Sequence, residues 1–280
     1  MGQTITAERI EAFGRYLIQE ERSEATIEKY LREMGRFAAF LAEKPVTKEA
    51  AAAWKAELIA QGYHPAIINA KLSALDRMLA FLGEEECRVR HMKLQRRVFR
   101  EDRQELTREE YLRLIAAARD LGRERLGLLM ETICATGIRV SEVRYITREA
   151  VEQGKAEVNL KGKVRTILIP GKLCWKLRKY AQKQKIASGE LFVTRSGRSL
   201  SRKQIWAEMK AVCERANVES TKVFPHNLRH LFARCFYQNC RDVVRLADVM
   251  GHSSMETTRI YLISTGAEHA KVLEELRLVL

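Results

Sequence analysis

KAEVNLKGKVRTILIP, residues 155 to 170, is the clearest β element in this 280-residue chain. KAEVNL and VRTILIP are short alternating runs rich in β-branched residues, set on either side of Lys161-Gly162-Lys163. A glycine between two such runs predicts a tight hairpin. Outward from it, the periodicity is helical. The chain is therefore expected to be mainly α, with a small β-hairpin sheet in a mostly helical second domain.

The first hundred residues read as helix throughout. In TIEKYLREMGRFAAFL, residues 26 to 41, the apolar positions Ile27, Tyr30, Leu31, Met34, Phe37, Ala38 and Leu41 trace one buried face. KEAAAAWKAELIAQG and PAIINAKLSALDRMLAFLG supply two more helices, each ending at a glycine suited to a C-terminal cap. Pro45 and Pro65 fall between segments, where they interrupt no helical ladder. With a segment near residues 6 to 20, residues 1–87 make a bundle of about four helices. RVRHMKLQRRVFREDR, residues 88–103, follows as a basic linker. Its cations Arg88, Arg90, Lys93, Arg96, Arg97, Arg100 and Arg103 face only two acids, which suits a strap across phosphates. Helix restarts at Thr107, where TREE offers a capping box with Glu110, and residues 104–280 form the second domain.

Composition narrows the function. Fifty basic residues against thirty-six acidic ones leave a net charge of +14, which points to a polyanionic partner, nucleic acid first. No apolar run approaches the ~18 to 20 residues needed to cross a bilayer, and MGQTITAERIEAF lacks a signal-peptide core. The six cysteines form no CxxC pair, so they read as core thiols in a reducing cytoplasm, without disulfides or a zinc site. The absence of a GxxxxGK[ST] loop and of a carboxylate cluster argues against bound nucleotide or magnesium.

Four stretches of the second domain carry groups able to act on a phosphate. In ATGIRVSEVRYI, residues 135 to 146, Gly137 can end one helix in a left-handed turn, and Arg139 then stands near the start of the next. The hairpin tip offers Lys161 and Lys163. In HNLRHLFARCFYQN, residues 226 to 239, a helical wheel sets Leu228, Leu231, Phe232, Cys235 and Phe236 on one side. His226, Arg229 and His230 lie on the other, where a solvated face is the plain reading. A zinc reading of His226 and His230 sits badly beside Arg229. In MGHSSMETTRIYL, residues 250 to 262, Ser253 and Glu256 read as a capping box, so a helix starts near Ser254. His252 lies just before it, and Tyr261 is seven positions beyond its first residue, back on the same face.

Taken in order, Arg139, a hairpin lysine, His226, Arg229, His252 and Tyr261 resemble the tyrosine recombinase family, the phage integrases and Xer-like enzymes. The match runs through ATGIRVSE, the lysine hairpin, HNLRH, and GH followed nine residues later by tyrosine, over roughly residues 104 to 265. The bundle before it is similar to that family's SAM-like core DNA-binding domain. The family's lysine turn is typically about a residue longer. Lys161, before the glycine, fits best here, with Lys163 as the alternative.

The resemblance implies strand cleavage by Tyr261 through a covalent 3′-phosphotyrosine, with no metal and no ATP. Arg139 and Arg229 would hold the non-bridging oxygens, and the hairpin lysine would protonate the leaving 5′-hydroxyl. His226 would move the tyrosine's proton, and His252 would bond the phosphate. Glu142 and His230 match supporting positions. The partners implied are double-stranded DNA and further copies of the chain, four protomers on two duplexes. The C-terminal stripe Val272, Leu273, Leu276 and Val279 could dock on a neighbour or fold back. Two other functions fit less of the pattern: a type IB topoisomerase that nicks and reseals, and a non-catalytic DNA-binding regulator.

Overall fold

The computed structural model describes residues 3–94, 105–160, 163–252, 254–259 and 274–276. It divides into two units, Met1–Arg96 and Arg97–Leu280, each with its own hydrophobic core.

The first unit is built from α1 (Ala7–Gln19), α2 (Glu24–Leu41), α3 (Lys48–Ala60) and α4 (Pro65–Leu82). Their starts follow from local chemistry. Thr6 and Thr47 accept from the backbone N–H three residues on, and Pro65 opens α4 where its missing N–H costs nothing. Met34, Phe37 and Leu41 of α2 are buried against Leu72, Leu75 and Leu79 of α4, as the apolar rhythm requires. One buried ion pair interrupts that core: Glu33 of α2 bonds the Lys71 ammonium of α4. Paired charges are tolerated inside where lone ones are not. Residues 88–94, the first part of the basic stretch, run over this unit's surface. Asn69 brackets Met92 through its N–H and its carbonyl, at 2.7 and 3.0 Å, and His91 meets Asp76 at 2.8 Å.

The second unit is arranged around α6 (Glu124–Thr136), whose buried residues include Leu126, Leu129, Met130 and Ile133. Around it pack α5 (Arg108–Asp120), α8 (Gly171–Lys183) and α11 (Pro225–Cys240). The capping box at Thr107 and Glu110 is present at the start of α5. After α7 (Arg148–Gln153) come β1 (Lys155–Leu160) and β2 (Lys163–Leu168), antiparallel and registered so that Leu160 faces Lys163. Lys163 thus belongs to a strand, and Lys161 and Gly162 lie outside the described residues. Ala156, Val158, Ile167 and Ile169 turn into the core. The remaining helices are α9 (Arg202–Lys210), α10 (Cys213–Ala216), α12 (Val243–Met250) and α13 (Met255–Arg259).

Two expectations about side chains are corrected. Arg229 and His230 are not on a solvated face: they are 1% and 7% exposed. Nor are all the cysteines core thiols. Cys87, Cys174 and Cys213 are buried, Cys134 and Cys240 half-buried, but Cys235 is exposed. The apolar side of α11 is buried at Leu228 and Leu231 and fades toward its end, where Phe236 is only half covered. Among the described residues no helix is long and apolar enough to cross a membrane.

Candidate active site

The site is organised by the C-terminal end of α12. The last carbonyls of a helix have no partner within it and carry its negative dipole end, so they attract cations. Three consecutive carbonyls here each receive a guanidinium from a different element. Arg165 of β2 donates to Val249 O at 2.8 Å, Arg229 of α11 to Met250 O at 2.9 Å, and Arg139 to Gly251 O at 3.2 Å. Arg229 also donates to Gly137 O, at the end of α6. Two helix ends therefore explain how a guanidinium is stable at such depth.

Both helix ends require glycine. Gly137 and Gly251 have φ of +64° and +62°, a region open to glycine at little cost. A Cβ on Gly137 would stand 2.3 Å from the Phe232 ring, and one on Gly251 would stand 2.3 Å from Cδ of Arg165. Close approach of the two turns to their neighbours is thus part of how the arginines converge.

Glu142 is the counter-charge. It lies in the 3-10 helix Val140–Tyr145, is 1% exposed, and accepts from the Arg139 backbone N–H at 2.7 Å. Its carboxylate also receives Nη1 of Arg139 at 3.0 Å and Nη1 of Arg165 at 3.1 and 3.2 Å. Among the described residues three guanidiniums thus gather about one carboxylate, a locally positive setting suited to a diester. Burial, with Arg229 and Arg139 nearby, pulls the Arg165 pKa down to about 10 despite Glu142. Arg139 is the more open of the three, its side chain 40% exposed.

His252 follows directly on this turn. Its Nε2 lies 2.8 Å from Nη2 of Arg229, and its Nδ1 lies 2.9 Å from the Thr258 hydroxyl of α13. A guanidinium can only donate, so Nε2 is the accepting nitrogen and the ring proton sits on Nδ1, donated to Thr258. Burial and then the arginines, Arg229 foremost, push the His252 pKa down to about 4. In this arrangement His252 steadies Arg229 and Thr258. Bonding a phosphate, as the resemblance implies, requires Nε2 to give up Arg229 and to carry a proton, because phosphate oxygens only accept.

His226 is exposed at the first turn of α11, where it lines a pocket with Arg139 and Arg229. The buried His230 meets it edge-on, ring centroids 4.6 Å apart. Of the expected site residues the described structure thus brings together Arg139, Glu142, His226, Arg229, His230 and His252. Lys161 and Tyr261 lie outside the described residues, as do Arg96, Arg97, Arg100 and Arg103 of the linker. Arg88, Arg90 and Lys93 are exposed on the first unit. The motifs alone do not reveal Arg165. Its signal is present in β2, where period-two alternation places it on the same side as the buried Ile167 and Ile169.

Two family models match the chain. Residues 104–268 match the phage integrase family, and residues 10–86 match the phage integrase N-terminal SAM-like domain. The chain belongs to the phage integrase family. Among individual relatives, it is 32% identical over 292 residues to the tyrosine recombinase XerA of Pyrococcus furiosus, covering 98% of each chain. Two solved structures share the fold. The XerH site-specific recombinase bound to its difH substrate has TM-score 0.69 at 18% identity, over 96% of this chain and 89% of that one. The lambda integrase tetramer bound to a Holliday junction has TM-score 0.70 at 19% identity, over 91% of this chain and 76% of that one.

Proposed function

We infer that the chain is a site-specific DNA recombinase that cuts and rejoins strands through Tyr261. The phenol oxygen attacks the scissile phosphorus and the bond to the 5′-oxygen breaks. The products are a 3′-phosphotyrosine and a free 5′-hydroxyl. A 5′-hydroxyl from another strand then reverses the step. One P–O bond is exchanged for another each time, so no ATP is needed. The observation that carries this reading is the convergence of Arg139, Arg165 and Arg229 on one helix end beside His252. In such an array Arg139 and Arg229 can hold a phosphate's non-bridging oxygens as charge builds on them, with Arg165 and Glu142 fixing the frame.

The resemblance to tyrosine recombinases supports the remaining roles. His226, exposed beside the arginines, exchanges the tyrosine's proton. The hairpin lysine, Lys161 before Lys163, protonates the departing oxygen. The substrate is double-stranded DNA and the working assembly is four protomers on two duplexes. That reading is supported by the tetrameric arrangement of the lambda integrase that shares the fold. The reaction takes place in the cytoplasm, with the DNA. The recombinase relatives favour joining to a second duplex over simple nicking and resealing.

The test is covalent trapping on genomic DNA followed by sequencing of the attached ends. Tyr261→Phe is expected to bind DNA as the wild type does and to form no adduct. Adducts at wild-type yield would refute the assignment. Transfer of a trapped strand to an added acceptor duplex separates recombination from topoisomerase action.

A further inference from the structure

The pocket that contains His226 extends beyond the charged groups. It encloses about 420 Å³, and its polar edge is formed by Arg139, His226 and Arg229. Its apolar lining comes from Ile138, Val140, Phe224 and Pro225 and from Trp206 of α9, and Ser141 and Arg202 line it as well. Trp206 is half exposed, at 50%. The Lys210 ammonium stands 4.9 Å from its ring centroid, and α9 opens with the exposed cations Arg202 and Lys203.

Nothing in the phosphoryl chemistry needs this apolar half. A half-exposed indole in the same pocket as phosphate-binding arginines offers a flat apolar face to whatever they hold. The occupant is constrained by covalent geometry. A diester held on Arg139 and Arg229 carries a deoxynucleoside on either side, one bond away, and a base offers a flat apolar face. Aromatic side chains stack on such faces with little regard to sequence. Strand exchange makes a face available, because the cleaved strand must leave its old partner and its first bases must unstack.

We propose that this pocket receives the base adjoining the scissile phosphate, stacked on Trp206, while the arginines hold the phosphate itself. The proposal rests on the recombinase reading of the arginines. Its tests are chosen so that the two can fail separately.

The full-length chain is compared as wild type, Trp206→Ala and Trp206→Phe. Trp54 and Trp175 remain in every variant, so tryptophan emission reports Trp206 by difference. On titration at low salt with a short mixed-sequence single strand, whose bases are already unpaired, wild-type emission is expected to be quenched, and most of that quenching to be absent in Trp206→Phe. On a nicked duplex cut from the trapped genomic ends, Trp206→Ala is expected to form adduct about tenfold more slowly, with Trp206→Phe recovering most of the rate. An abasic nucleotide at one position beside the cleaved bond should reproduce that loss in wild type and add nothing in Trp206→Ala. Equal quenching in wild type and Trp206→Phe would overturn the proposal, as would losses that multiply at every abasic position. A normal wild-type adduct with either result removes the pocket alone. Trp206-dependent quenching in a wild type that forms no adduct removes the Tyr261 reading and leaves the pocket standing.

Discussion

A histidine nitrogen that accepts from a guanidinium cannot carry a proton of its own. That constraint fixes the behaviour of His252 with pH. Its folded pKa is about 4, below the ordinary 6.5, because the ring is buried and faces Arg229, Arg139 and Arg165. Between those values the unfolded chain binds the proton and the folded chain does not. Stability from this group is therefore complete above pH 6.5 and declines as pH falls toward 4. In NMR, the His252 ring is expected to remain neutral, with the proton on Nδ1, until the pH approaches 4. Titration near 6.5 would mean that Arg229 does not donate to Nε2. At this scale the motifs point to the residue but not to its state, since the burial and the three charges come from chain segments far from residue 252.

At the scale of elements, α12 matters less for its length than for where it stops. Arg165 is the group whose role depends most on that ending, because its fork spans Glu142 and Val249 O at once. A lysine has one point of charge and cannot match both directions. Arg165→Lys is expected to slow covalent-adduct formation by about tenfold to a hundredfold, as one charge-assisted hydrogen bond of ~1.5–3 kcal/mol disappears. DNA affinity should change far less, since Arg165 is mostly buried, its side chain 12% exposed. Single-turnover adduct formation set beside fluorescence anisotropy measures the split, and equal losses in both would show that Arg165 binds DNA rather than positioning the site. Local elements are legible in the sequence: the Thr107–Glu110 capping box, the left-handed Gly137 and the presence of the hairpin all follow from local chemistry, though β2 begins at Lys163, which the sequence places in the turn. The burial of Arg229 is not, because a helical wheel shows which side a residue faces and not what waits there. Two helix ends from other parts of the chain wait there, and no local pattern encodes them. The pairing of Glu33 with Lys71 is hidden for the same reason, the partners being 38 residues apart.

For the whole molecule the decisive quantity is how charge is shared between the units. Fifteen basic and fourteen acidic residues leave Met1–Arg96 at +1, whereas thirty-five and twenty-two leave Arg97–Leu280 at +13. Nearly all the surplus that attracts a polyanion thus belongs to the second unit and the linker entering it. Each phosphate neutralised releases counterions, so log K falls against log salt with a slope of about −0.9 per phosphate. The linker straddles the charge boundary. Arg88, Arg90 and Lys93 belong to a segment held on the first unit, where Arg88 is already paired with Glu85 at 3.1 Å. Arg96, Arg97, Arg100 and Arg103 follow it. If the second group straps across the backbone, replacing those four by alanine flattens the slope by about 0.9 for each phosphate no longer neutralised, close to four in all. The same replacement of Arg88, Arg90 and Lys93 is expected to flatten it less, because a paired arginine gives up its partner on binding. Binding isotherms of the full chain and both variants over a salt series measure the two slopes. An unchanged slope for the four-residue variant would place the phosphate-binding cations on the helices of the second unit instead, and the linker would then be a tether only.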